Sequence, residues 1–545
     1  MGEPSCHPLE LPAGGRARAV MLTGTGSHAG KTVLAAALCR MYARRGYRVA
    51  PFKAQNMSLN SFVTHDGGEI GRAQAYQAQA SGVEPHVDMN PVLLKPSSDA
   101  RSQVIVLGRP VGHMSVRQYH AYQADAWPVV TAALDRLRDA NDLVVIEGAG
   151  SPAEINLRDQ DIVNMPIALY AGCPVLLVGD IDRGGVFASL VGHMEVFTPE
   201  ERERVSAFVI NKFRGDASLL DSGIQELQRR TGVPTLGVVP MLEGWRGDEV
   251  DSLGIEDRLA RARPGAPVQI VVVRLPFISN FTDFDALADE PDVNVRYATR
   301  PAELDGAAAI VLPGTKSTIA DLQWLRQSGL AAAVRAAAAA GTPVIGVCGG
   351  YQMLGRRIHD PEHVESESAS VEGLGLLDAE TTFAADKRTV RVDGELLKPV
   401  GLAASSAEEA APASPLGSPG TPVRGYEIHM GRTTLSPRGA AALLRLHGAD
   451  GVEHDDGAVN VTADFAPAGT VCGTYLHGLF DHPALRSAFL NGLRAARGMT
   501  PLPGASPDDA GFDQSPVDDI DRLADHVEVH LDPALLADIV GLEGR

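Results

Sequence analysis

The sequence predicts an α/β protein of two doubly wound domains, on three observations. Its 545 residues favour two to four domains at roughly 100–200 residues each. Short, continuous Val/Ile/Leu runs alternate with helical stretches, the pattern of parallel strands buried on both faces. That alternation breaks once, over a polar, charged, Pro-containing stretch, and then starts again. With 44% apolar and 21% charged residues, the composition is that of a globular chain and excludes disorder throughout.

Taken in order, residues 1–18 read as an N-terminal extension and 19–243 as the first domain. Its expected strands are Ala19–Thr23, Arg48–Phe52, Val104–Leu107, Leu143–Ile146, Val175–Val178, Ala207–Ile210 and Leu236–Val239, with helices such as Lys31–Arg45 and Ala121–Ala140 between them. Residues 244–267 are the linker. The second domain, 268–500, starts with Val268–Val273 and continues through Ala309–Leu312, the Ala-rich helix Leu330–Ala340 and Val344–Val347. Ala, Ser, Pro and Gly dominate 401–421, which reads as a loop insertion. Residues 501–545 are a loose acidic segment followed by helical periodicity over Ile520–Val540, expected to dock on the surface.

Charge and cysteine usage narrow the function classes. Lys and Arg number 48 against 68 Asp and Glu, a net −20, so general electrostatics disfavour nucleic acid or an anionic membrane as partner. Any anionic ligand must be held by a local basic site. The cysteines Cys6, Cys39, Cys173, Cys348 and Cys472 are odd in number and form no C-x-x-C pair. This argues against a disulfide framework or a zinc site and for a reducing compartment. The longest apolar stretch, around Pro166 to Gly179, contains two prolines and is too short to span a bilayer. With no signal-peptide core at the N-terminus, the chain reads as a soluble cytoplasmic protein.

After the first strand come Gly24-Thr25-Gly26-Ser27-His28-Ala29-Gly30-Lys31-Thr32 and an apolar helix. A strand, a glycine-rich loop and a helix opening with Gly-Lys-Thr form a phosphate cradle. Small residues let backbone N–H groups face the phosphates, and the helix N-terminus adds positive potential. Gly30 and Lys31 would face the outer phosphates of a nucleotide, and Thr32 would put its hydroxyl on Mg²⁺. Thr25 stands where the usual pattern has its first glycine. The strand Leu143–Ile146 runs into Glu147, at the sheet edge where ligands bind, and Glu147 is a candidate for Mg²⁺ or its waters. Lys53 ends the next strand; from spacing alone it is equally a phosphoryl-neutralising group and a solvated surface lysine. Asn211, ending another strand, is a candidate contact for the nucleotide base.

In the second half, Val344-Ile345-Gly346-Val347-Cys348-Gly349-Gly350-Tyr351-Gln352 reads as strand, sharp turn and helix with small residues around the Cys. That is the construction of a nucleophile elbow. The Gly349 N–H would face a tetrahedral oxyanion, and the helix N-terminus would favour the thiolate. Gly314, in Leu312-Pro313-Gly314-Thr315-Lys316, is a candidate second oxyanion donor. The base is His477 or His429; spacing does not choose between them.

These segments together resemble known families. Pro313-Gly314, the Gly346–Gly350 elbow and the late His477 are similar to a class I glutamine amidotransferase domain, which implies a flavodoxin-like fold. The first half resembles the P-loop ligases related to dethiobiotin synthetase. The fusion resembles the cobyric acid synthase family of cobalamin biosynthesis. Its marks here are Phe52-Lys53-Ala54-Gln55-Asn56-Met57-Ser58, Glu69-Ile70-Gly71-Arg72-Ala73-Gln74, Asn90-Pro91-Val92-Leu93-Leu94-Lys95-Pro96, Asp180-Ile181-Asp182-Arg183-Gly184-Gly185-Val186-Phe187 and Tyr426-Glu427-Ile428-His429-Met430-Gly431. The resemblance implies ATP- and glutamine-dependent amidation of corrin carboxylates, with adenosylcobyrinic acid a,c-diamide as acceptor. It implies that the nucleotide at Gly30, Lys31 and Thr32 is ATP. It implies Cys348 as nucleophile and His477 as base, Thr32, Glu147 and Glu69 on Mg²⁺, Lys53 on the phosphoryl group and Asn211 on adenine. The Glu that usually follows the triad His by two residues is replaced by Leu479, so a dyad is implied and the group orienting the imidazole is unassigned. Arg72, Lys95, Arg158 and Arg183 are candidate partners for the acceptor's carboxylates. Two alternatives stand beside this: cobyrinic acid a,c-diamide synthase, with the same chemistry at other positions, and a P-loop partitioning-type ATPase with a silent second domain.

Overall fold

The computed structural model describes residues 16–97, 101–242, 263–397, 416–464, 466–503 and 517–542. The expected extension up to residue 15, the linker over 244–262 and the insertion over 401–415 lie outside the described residues, as does Cys6.

The continuous apolar runs form two parallel sheets. The first holds six strands in the order Thr235–Pro240, Val205–Phe213, Val175–Asp180, Arg18–Gly24, Leu143–Glu147, Val49–Phe52, all parallel. The second sheet runs Val293–Ala298, Val268–Val273, Ala309–Leu312, Val344–Val347, Val471–Thr474, then Ala458–Asn460 and Ala440–Ala441. Its first five strands are parallel and the last two antiparallel. Helices cover both sheets, so each domain is a doubly wound α/β unit with its active edge at the strand C-termini.

Two additions depart from the sequence expectation. Val104–Leu107 is not a strand of the parallel sheet. Residues Arg101–Val106 join Gln55–Met57, Val92–Pro96 and Arg109–Ser115 in a separate four-stranded sheet whose last two pairings are antiparallel. The other is a long antiparallel hairpin, Ala379–Leu396 with Pro422–Leu435, against which the short strand Leu476–His477 pairs.

A small hairpin, Ser61–Val63 with Glu69–Gly71, joins the two halves. Phe62, Val63, Ile70 and Ala75 pack with Tyr426 and Ile428 of the long hairpin in one apolar cluster. The contact is polar as well. Ser61 N–H donates to Asn280 Oδ1 at 3.0 Å and Phe281 N–H to Asn60 Oδ1 at 3.2 Å. Arg391 Nε donates to the Val63 carbonyl at 2.8 Å.

The periodic stretch over Ile520–Val540 forms two helices, Val517–Glu528 and Pro533–Val540. Asp532 caps the second, accepting from the N–H groups of Ala534 and Leu535. Ile520, Leu523, Ala524 and Val527 are buried in one core with Leu34, Leu38 and Met41 of the P-loop helix Lys31–Arg44. Arg40 holds Asp521 through two donors at 2.7 and 3.0 Å. Deleting a fully buried leucine side chain removes its transfer energy and leaves a cavity. We expect Leu523→Ala to lower unfolding stability by about 2–5 kcal/mol in a denaturant titration, with the C-terminal helices becoming the first protease-sensitive region.

Candidate active site

The P-loop follows the first strand and takes its turn at two left-handed residues, His28 at φ 64° and Gly30 at φ 90°. Gly30 has a second reason to be glycine: a Cβ there would lie 2.1 Å from Asn211 Nδ2. That amide donates to the Ala29 carbonyl at 2.9 Å, so Asn211 braces the loop from the next strand but one. Lys31 Nζ reaches back to the carbonyls of Gly26 at 2.9 Å and Gly150 at 3.1 Å, spanning the mouth of the cradle.

Glu147 ends the strand beside the first, and its carboxylate is the hub of the site. Oε1 accepts from Thr32 Oγ1 and from Lys53 Nζ, both at 2.8 Å, and Oε2 accepts from Gln77 Nε2 at 2.6 Å. Burial of an unpaired carboxylate would be costly; the lysine supplies the countercharge. Lys53 is thus a buried ion-pair member and not a solvated surface lysine (side chain 4% exposed). The Thr32 hydroxyl and the Glu147 carboxylate are adjacent hard-oxygen donors, a set that suits Mg²⁺. Gln77, which sequence reasoning missed, sits on the helix Arg72–Ser81 with nothing in its local sequence to mark it.

Glu69, the third residue expected on Mg²⁺, is hydrogen-bonded to two lysines and not to Thr32 or Glu147. Its carboxylate lies between Lys95 Nζ, at 2.7 Å, and Lys387 Nζ of the long hairpin. Both lysines hold it ionised, with a pKa well below the carboxylate range despite its burial. Lys95 donates to Glu69 and to the Ser61 hydroxyl, each at 2.7 Å. Arg72 stacks over the Phe62 ring. Arg158 borders a cleft of about 460 Å³ together with Gly26, Ser27 and Gly150, within the range of ligand pockets. Arg183 is exposed beside Asp180.

At the other site the strand Val344–Val347 turns into the helix Gly349–Leu354 through Cys348, held at φ 50°, ψ −109°. A non-glycine residue persists in such a conformation only where its surroundings impose it, most often at functional sites. The close approach depends on glycine: a Cβ at Gly350 would lie 2.0 Å from the Leu312 carbonyl oxygen, and one at Gly346 2.7 Å from the Tyr351 backbone. Burial pushes the thiols of Cys39 and Cys173 up to about 12 and that of Cys472 higher still.

The Cys348 thiol donates to the Ile428 carbonyl at 3.5 Å and lines one pocket with both His477 and His429; Cys348 is among the groups that raise the His477 pKa. His429 stacks on Tyr475 with ring centroids 3.8 Å apart, and its Nδ1 meets the Gly431 carbonyl at 2.8 Å. The imidazole of His477 is oriented by a residue that the sequence left unassigned. Asp283 Oδ2 accepts from His477 Nδ1 at 2.7 Å, and Oδ1 accepts from the Gly478 N–H at 3.1 Å. Asp283 lies 194 residues before its partner, on a short turn of helix Phe281–Phe284, so no local motif signals it. The Tyr426 ring stacks on the other side at 5.4 Å. Burial alone would lower the His477 pKa; Asp283, by charge and hydrogen bond, and then Cys348 raise it to about 10. Gly314 lies at the ring's edge, where an added Cβ would stand 3.0 Å from His477 Cε1, and Gly349 opens the helix beside the thiol.

Cys348 and His477 thus share one pocket, with Asp283 holding the imidazole from its far nitrogen, an arrangement that a nucleophile, base and orienter would require. The raised His477 pKa stabilises the folded site fully below about pH 6.5, and that contribution is lost as pH rises through about 10. Asp283→Asn should cut glutamine hydrolysis by about 10²–10⁴-fold and lower the thermal midpoint near neutral pH, a loss that shrinks as pH rises through about 10, and an NMR titration should show the His477 pKa well below its present value.

Comparison with known proteins follows the same division. Residues 20–247 match the model of a CobQ/CobB/MinD/ParA nucleotide binding domain, and residues 269–485 that of a CobB/CobQ-like glutamine amidotransferase domain. The cobyric acid synthase of Sorangium cellulosum is 53% identical over 96% of this chain and 99% of its own length. That of Pelotomaculum thermopropionicum is 49% identical over 97% of each, and that of Desulforudis audaxviator 49% over 97% and 98%. With both halves matched separately and nearly the whole length shared with these relatives, the chain belongs to the cobyric acid synthase family.

Proposed function

We propose that this chain amidates the b, d, e and g carboxylates of adenosylcobyrinic acid a,c-diamide to give adenosylcobyric acid, using ATP and glutamine. The observation that carries the reading is the presence, in one polypeptide, of a P-loop braced on Glu147 and a thiol–imidazole–carboxylate triad at Cys348. Neither site completes the reaction alone. A carboxylate is a poor electrophile, and ammonia in water at neutral pH is almost all ammonium.

The nucleotide half activates the acid. Backbone N–H groups of the P-loop and the Lys31 ammonium bind the outer phosphates, and Asn211 borders the side where the base would lie. Thr32 and Glu147 would hold Mg²⁺, which when bound neutralises phosphate charge. Lys53, paired with Glu147, would balance charge on the transferred phosphoryl group. The acceptor carboxylate oxygen bonds to the γ-phosphorus as the bond to ADP breaks, giving an acyl phosphate.

The other half makes the nitrogen nucleophile. The Cys348 thiolate attacks the glutamine amide carbon, with Gly349 and Gly314 N–H groups facing the oxyanion. His477 protonates the departing nitrogen, so the C–N bond breaks and a thioester remains. It then takes a proton from water, which hydrolyses the thioester to glutamate. Asp283 keeps the imidazole oriented through both transfers. Ammonia attacks the acyl phosphate, the new C–N bond forms, phosphate leaves and a proton is lost.

Cys348→Ser divides the halves. We expect glutamine-driven amidation to fall by about 10³-fold or more, and added ammonium chloride to support amidation within about twofold of the unsubstituted chain. Mass spectrometry of the a,c-diamide after reaction identifies the acceptor. No mass gain with either nitrogen source defeats the assignment, and gain on cobyrinic acid but not on its a,c-diamide would favour the a,c-diamide synthase.

A further inference from the structure

Ammonia made at Cys348 must reach the nucleotide half as NH₃, and the wall between the two cavities is built in a way that bears on this. The pocket holding Cys348 and His477 is closed on one side by Lys95 and Gln103, which belong to the nucleotide half's four-stranded sheet. Lys95 pairs with Gln103 across two strands, and Gln103 with His113 across the next. Directly opposed residues share a face, so these side chains form one row. Strand alternation turns Leu94, Ser102 and Met114 to the other face, and all three border the P-loop cleft with Gly26 and Ser27. A single sheet thus separates the thiol pocket from the phosphate cradle.

The row facing the thiol has an unusual polar balance. Gln103 is 3% exposed, and its amide oxygen finds no donor among the described residues. Such an acceptor destabilises the fold unless something else supplies a hydrogen. Around it stand cations: Lys95 and Lys387 on Glu69, and Lys316 on the same pocket. His113 at the end of the row is kept neutral, its pKa pushed down to about 4 by burial and then by Lys316, Arg101 and Lys387. On the thiol side, Glu365 also borders the pocket. The lysines around the row disfavour a cation in transit, and the Gln103 oxygen offers a neutral donor an acceptor on the dividing sheet.

Building on the amidation reading above, we propose that Gln103 is the ammonia-docking residue of the dividing sheet, its amide oxygen accepting a hydrogen bond from NH₃ released at Cys348 while the adjacent lysines exclude ammonium. No bond is made or broken at Gln103. It is a positioning residue, and its loss should uncouple the two sites without disabling either.

The test compares glutamate released with amide formed in the full chain. In Gln103→Leu, glutamate release and ammonium-driven amidation stay within about twofold of the unsubstituted chain, while glutamate per amide rises about fivefold or more. Gln103→Glu, which retains an acceptor oxygen, gives a ratio closer to the original. An unchanged ratio in Gln103→Leu, an equally high one in Gln103→Glu, or loss of ammonium-driven amidation in Gln103→Leu overturns the assignment. Gln103→Met serves in the same way if the leucine variant does not fold. If the unsubstituted chain forms no amide from either source, the amidation reading itself fails, and this one with it.

Discussion

Buried charge governs the layout of this protein. A carboxylate removed from water must find countercharge and hydrogen bonds at once, and the residues that meet this demand are the ones that define the sites. Glu147 needs Lys53, Thr32 and Gln77. Asp283 needs His477 and the Gly478 N–H. Glu69 needs Lys95 and Lys387. The first set fixes the phosphate cradle and the second the thiol's base. The third clamps one half of the chain against the other. Removing one member of any set leaves its partner charged in a low-dielectric interior, so the geometry of each is strongly enforced.

The junction between the halves reaches the chemistry through short paths. Asn60 and Asn280 bond each other's neighbours reciprocally, and Asp283 follows Asn280 by three residues. Phe62 of the small hairpin packs on Tyr426, the ring that stacks on His477; the Tyr426 hydroxyl also donates to the Ser61 carbonyl at 3.2 Å. The nucleotide half thereby supports both the residue that orients the imidazole and the ring that covers it.

Sequence reasoning read the parallel cores well because their strands are continuous apolar runs. Val268–Val273, Ala309–Leu312 and Val344–Val347 have the expected bounds. The local motifs were equally legible: the Gly30-Lys31-Thr32 helix start and the glycine-flanked Cys348 are signals carried by adjacent residues. The antiparallel additions were not. Gln55–Met57 is three residues long, and Arg109–Ser115 is largely exposed, so neither shows a buried periodicity. Asp283, Gln77 and Gln103 were missed for a related reason. Each acts through a partner or cavity that only the tertiary fold supplies. The partners of Glu69 were not legible because a carboxylate within a motif carries no mark of which cation it will meet, and Lys387 lies 318 residues away.

The helices Val517–Glu528 and Pro533–Val540 have an implication for how the molecule is made. They complete the apolar cover over the P-loop helix, yet they are synthesised after the whole amidotransferase half. Domains generally fold as the chain emerges, but here the portion translated first is finished last. Until residues 517–542 leave the ribosome, Leu34, Leu38 and Met41 lack part of their packing, and the nascent nucleotide half must wait with a greasy flank open to chaperones.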